Sequence, residues 1–262
     1  MYPHHQRVLE RIREKFANDP QFHAILLGGS IAHGWGRESS DVDVYMVVDD
    51  ETFARLQEKN ALFYYDTELC DYPGGYIDGK IITYSFMKEA ADRGSEPTRS
   101  SFIGSYPIYN RVPGLEDVLR RIPVYPVEEK AEKISAFYAQ VQLLGHYFVR
   151  QALEKGNRYL LAHAVSDLVL FGSRLILAHN ERLYPGHKSL FRVLELAEDK
   201  PADFMELADR LLQAPTLDNA KAFIDCVEQF SSWGVPYPEA VSLFIEHNEW
   251  NWRQGRPPLE DW

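Results

Sequence analysis

Apolar and polar residues alternate with different periods in the two halves of this chain. In the first half, short apolar runs are bounded by glycines and acids. Ala24-Ile25-Leu26-Leu27 leads into Gly28-Gly29-Ser30, Val44 to Val48 leaves Asp41-Val42-Asp43, and Ile81-Ile82 follows Gly79-Lys80. Runs of this length and punctuation read as strands. They predict strands over 23–28, 41–48, 61–69 and 76–86, with an edge strand within 101–109. Between them the pattern predicts helices over 3–18, 30–35, 51–59, 87–93 and 115–122; the first carries Val8, Leu9, Ile12 and Phe16 on one face. The polar stretch 94–99 reads as a loop.

Beyond residue 126 the period becomes helical. Ile134, Phe137, Tyr138, Val141, Leu144 and Phe148 predict one long helix over 127–154. Gly156-Asn157 supplies a turn before a second helix over 159–178, and further helices are expected at 188–198, 201–212, 217–233 and 238–252. Pro123 and Pro126 bias their predecessors to extended backbone and place a boundary between 1–125 and 126–262. The expected fold class is α+β, a mixed β-sheet with flanking helices followed by an all-helical bundle.

Composition narrows the partners. The chain has 262 residues, ordinary for one large or two small globular domains, and a net charge of −11. It lacks the basic excess of a protein that grips a long phosphate backbone, so no long nucleic acid is expected. An acidic surface suits a cationic small molecule instead. The amphipathic N-terminus does not read as a signal peptide, and no apolar run approaches the roughly 20 residues that span a bilayer. A cytoplasmic protein without a membrane partner is the expectation. Cys70 and Cys226 are isolated and read as reduced thiols.

The candidate chemistry lies between residues 28 and 43. Alternation along a strand puts Asp41 and Asp43 on one face, roughly 7 Å apart, where two carboxylates can share hard divalent cations. Gly28 and Gly29 allow close approach of backbone to a ligand, and Ser30 can begin a short helix whose free N–H groups suit phosphate. Together they describe a metal-and-triphosphate site.

This order of Gly29-Ser30, a spacer from Ile31 to Ser40, and Asp41-Val42-Asp43 in a strand resembles the signature of the polymerase-β-type nucleotidyltransferase superfamily. With a helical half behind it, the chain resembles in architecture the kanamycin and lincosamide nucleotidyltransferases. The resemblance implies that the Gly-Ser turn holds the triphosphate of ATP and that Asp41 and Asp43 bind two magnesium ions. It implies a third carboxylate on a neighbouring strand, and transfer of a nucleoside monophosphate to a hydroxyl of a small polar acceptor. Pockets favour domain interfaces, which puts the expected acceptor between sheet and bundle. The rival readings are an enzyme that adenylylates a protein, and a non-catalytic nucleotide-binding partner of toxin–antitoxin type. A homodimer is left open.

Asp78, after Ile77 and before the apolar Ile81-Ile82, is the first candidate for the third carboxylate, as metal ligand or base. Asp78-Gly79 is also a common hairpin pair, which would put the acid at a loop tip. Asp66 and Glu68, alternating on the preceding strand, are the other candidates. If Asp78 faces the site, Lys80 does too and can hold a phosphate oxygen. Arg37 in the spacer and Arg99 in the 94–99 stretch are further phosphate candidates, and Lys188 and Glu249 are the acceptor candidates of the helical half. Arg174 and His179 are spaced like the Arg-x4-His motif of HEPN ribonucleases, for which a structural arginine and a capping histidine are the plainer reading.

Overall fold

Strand β1 (Ala24–Leu27) is buried at every position, and β2 (Val42–Val48) at all but Asp43. Such uniform burial belongs to strands covered on both faces. With β3 (Phe63–Asp66), β4 (Ile77–Thr83) and β5 (Tyr106–Asn110) they form a five-stranded sheet in the order β3-β4-β2-β1-β5. β2 and β4 run parallel and the other neighbours antiparallel, so the sheet is mixed. These features come from a computed structural model that describes residues 1–255 and Leu259.

Each sheet face has its own cover. On one, Ile25, Leu27, Val44 and Met46 pack with Val8, Ile12 and Phe16 of helix α1 (Pro3–Phe16), beside Ile31 of the short α2 (Gly29–Ala32) and Phe53 of α3 (Asp50–Glu58). On the other, Ala24, Leu26, Tyr45, Val47 and Ile82 pack with Met87 of α4 (Tyr84–Arg93) and with Leu115, Val118 and Leu119 of α6 (Leu115–Arg121). Asp43 and Asp78 share this second face by alternation but fall outside its apolar cluster, half-buried and exposed respectively.

Local chemistry moves several expected boundaries. The Thr83 hydroxyl accepts the Phe86 N–H at 3.0 Å, so β4 ends and α4 begins earlier than the apolar pattern suggests. The 94–99 stretch is not a loop. Ser95 caps helix α5 (Glu96–Ser101), with Pro97 in its first turn, where a missing N–H costs nothing. β3 stops at Asp66, so Glu68 lies in a turn and not on a strand.

The chain divides into two compact units, Met1–Val124 and Tyr125–Trp262. Among its described residues the second contains helices and loops and no strand. The expected 127–154 helix is composite: a 3₁₀ turn precedes α7 (Lys130–Leu143), and a π turn over Leu144–Phe148 joins α7 to α8 (Val149–Glu154). Gly145 in that turn lets Ile224 of α12 (Leu217–Phe230) press against the backbone, where a Cβ would collide with it. α9 (Arg158–His179) forms the centre, with Leu168 to Ala178 buried. Contrary to the sequence expectation, α9 is long and apolar enough to cross a membrane by length and composition, with a mean hydropathy of 1.6. Its most apolar window is 67% buried inside the protein, as befits a core helix. α10 (Leu190–Glu195), α11 (Phe204–Gln213) and α13 (Tyr237–Phe244) complete the unit.

Candidate active site

The site is assembled where β1 ends and β2 begins. The antiparallel register puts Gly28 opposite Asp43, and the Gly28 N–H donates to the Asp43 carbonyl at 2.9 Å. The chain then turns through Gly29, whose φ of +60° is a left-handed conformation that glycine adopts without strain. The Ala32 N–H donates to the Gly28 carbonyl and makes Gly28 the N-cap of α2. Gly29, Ser30 and Ile31 are the first helical residues, so no carbonyl one turn back serves their N–H groups. Space also dictates the glycines. A Cβ on Gly28 would stand 2.9 Å from the Tyr45 ring, and one on Gly29 would run into the Asp43 side chain.

Asp78 is not at a hairpin tip. It lies within β4, directly beside Asp43 in the parallel β2–β4 register and opposite Tyr65 of β3. Neighbouring strands lie about 4.8 Å apart, so the two carboxylates stand side by side on one face. Lys80 follows on that face, next to Tyr45. Asp66 is excluded from it: in the register it pairs with Ile77 and points to the opposite face. There Lys15 donates to it at 2.6 Å, the Tyr64 hydroxyl donates as well, and its other oxygen accepts the Glu68 and Leu69 N–H groups. It is a structural carboxylate.

Asp41 is positioned by its neighbours in sequence. His5 and the Tyr72 hydroxyl both donate to the Ser40 carbonyl, at 3.2 and 2.7 Å, and the Val42 N–H donates to the Tyr76 carbonyl at 2.9 Å. The Tyr76 hydroxyl, which the sequence reading missed, faces the Asp41 carboxylate. Hydrogen bonding to Asp41, with the charge of Asp41, some burial and the charges of Asp78 and Asp43, pushes the Tyr76 hydroxyl up to about 12. Three carboxylates therefore act on one phenol. Tyr76 is two residues before Asp78, so strand alternation was the signal that could have found it.

The donor set is all oxygen and suits a hard cation such as Mg²⁺. It is not preformed: among the described residues no group of three His, Cys, Asp or Glu side chains stands ready to hold a metal ion.

Of the other candidates, Arg37 lies exposed in the spacer loop, where its N–H donates to the Ser40 hydroxyl. His33 also belongs near the turn, its Nδ1 donating to the Gly29 carbonyl at 2.9 Å. Arg99 is a correction. It is only 4% exposed, and its guanidinium donates to the carbonyls of Gly94, Ile122 and Val124, which leaves it no phosphate to hold. Lys188 and Glu249 are exposed, on a 3₁₀ turn and a π turn of the helical unit. Arg174 is buried between the rings of Phe137 and Tyr184, and His179 is bonded to Asp199 at 2.7 Å; both have structural surroundings.

No family model matches the chain, and no curated protein does. Among solved structures it is similar to a nucleotidyltransferase-like protein from Exiguobacterium sibiricum 255-15, at 12% identity and a TM-score of 0.48, over 96% of this chain and 80% of that one. At that identity and score the likeness assigns no role to any residue.

Proposed function

We propose that this chain is a magnesium-dependent nucleotidyltransferase that moves AMP from ATP to a hydroxyl of a small polar acceptor, in the manner of the kanamycin and lincosamide nucleotidyltransferases. One observation carries the reading: a glycine turn with open N–H groups folds against Asp43, and Asp78 stands beside Asp43 in register on the next strand. The N–H groups of Gly29, Ser30 and Ile31 would bind phosphate oxygens, which the same backbone would keep oriented during transfer. Asp41, Asp43 and Asp78 would hold magnesium, which supplies positive charge against the triphosphate and lowers the pKa of a bound hydroxyl.

Asp78, the exposed member of the set, would take the acceptor's proton as the hydroxyl oxygen bonds to the α-phosphorus. The bond from that phosphorus to the bridging oxygen breaks, and pyrophosphate leaves. The test is transfer of a radiolabelled α-phosphate from ATP to a panel of hydroxylated amines, with pyrophosphate release followed in parallel. The reading expects label on at least one acceptor, lost about a hundredfold in Asp78→Asn. Release that is equally fast in that variant would refute it.

A further inference from the structure

The carboxylate face continues across β4 onto exposed aromatic rings at the sheet edge. In the antiparallel β3–β4 pair, Phe63 stands opposite Lys80 and Tyr65 opposite Asp78. Tyr64, between them, packs into the core on the far face, so Phe63 and Tyr65 project from the carboxylate face. They are 70% and 61% exposed. The Tyr65 ring lies 5.4 Å from that of Tyr76, whose hydroxyl faces Asp41. The rings are thus continuous with the acids. Large rings left open on an edge strand invite pairing with other chains, a liability that a binding role would explain.

Strand order says which substrate they would meet. The Gly29-Ser30 turn follows β1, on one side of Asp43, whereas Phe63 and Tyr65 lie on β3, beyond Asp78 on the other. In-line displacement keeps the leaving pyrophosphate and the attacking oxygen on opposite sides of the phosphorus. Phosphates at the turn leave the β3 side for the acceptor. We propose that Phe63 and Tyr65 form the acceptor-binding surface, and that the acceptor carries a cationic amine held over these rings beside Asp78. Aromatic faces attract ammonium groups, and the adjoining carboxylates and the net charge of −11 add to that attraction. This assignment rests on the nucleotidyltransferase reading.

The test compares choline with its uncharged carbon isostere, dimethylbutanol, each titrated by NMR into the full chain with Mg²⁺ and a non-hydrolysable ATP analogue. Choline is expected to bind at least about fivefold more tightly than the isostere. Phe63→Ala with Tyr65→Ala should abolish that preference, Tyr65→Phe should keep it, and all variants should hold Mg-ATP as the wild type does. Equal binding of the two probes, or a preference that survives in the double variant, overturns the proposal. So does a change of oligomeric state in the double variant, since the rings would then cover a second copy of the chain. A wild-type protein that binds no Mg-ATP would instead bring down the nucleotidyltransferase reading, and the acceptor assignment with it.

Discussion

A side chain at residue 29 cannot coexist with Asp43 in its present place. A Cβ built on Gly29 would stand 2.6 Å from the Asp43 Cβ, with the carboxylate closer still. The positive φ of Gly29 is a second, independent demand for glycine. Turn and acid are therefore one unit: the backbone N–H groups reach the carboxylate face only because residue 29 has no side chain.

Gly29→Ala should accordingly lower stability by about 1–3 kcal/mol and weaken Mg-ATP binding more than about tenfold. Thermal melts and calorimetric titration measure the two separately. A folded variant with wild-type ATP affinity would place the nucleotide away from this turn.

Much of the sheet was legible because its strands are short apolar runs with glycine or acid at their ends. β1 and β2 fall within the expected spans, and Asp43 faces away from Val42 and Val44 as alternation requires. What the sequence concealed was long-range register. Only the pairing of Asp43 with Asp78 distinguishes a strand acid from a hairpin tip, and only the pairing of Asp66 with Ile77 sends that carboxylate to the other face. Arg99 was misread for a local reason: Ser95 and Pro97 signal a helix start, and the helix turns the guanidinium inward.

Arg99→Ala should destabilise the protein by about 2–4 kcal/mol, because the carbonyls of Gly94, Ile122 and Val124 lose their donor. Mg-ATP affinity of the protein that remains folded should be unchanged. A melt showing wild-type stability together with weakened ATP binding would return Arg99 to the phosphate site.

Asp66 gives a pH signature. Burial works against its charge, but the bonds from Lys15, Tyr64 and the Leu69 and Glu68 N–H groups outweigh it and hold the carboxyl at about 2. An unfolded aspartate titrates near about 3.9, so this group's contribution is complete above that value and is lost as pH falls towards about 2. The wild-type melting temperature should drop over this window by more than that of Asp66→Asn, which starts lower at neutral pH. Parallel curves would contradict the assignment.

Tyr76→Phe removes the hydroxyl that faces Asp41 and should leave that carboxylate more available to a cation. The expected result is Mg²⁺ binding tightened severalfold, about 1 kcal/mol, by calorimetry. Weaker binding would mean that the phenol belongs to the metal's surroundings.

The central claim is that Asp43 and Asp78 act together on a metal-bound nucleotide. Calorimetric titration of Mg-ATP into the wild type, Asp43→Asn and Asp78→Asn tests it most directly. The account predicts metal-dependent binding by the wild type and a loss of at least about tenfold in each variant, about 1.4 kcal/mol or more, with melting temperatures preserved. Equal affinity in all three proteins, or binding that persists when the metal is chelated, would contradict it.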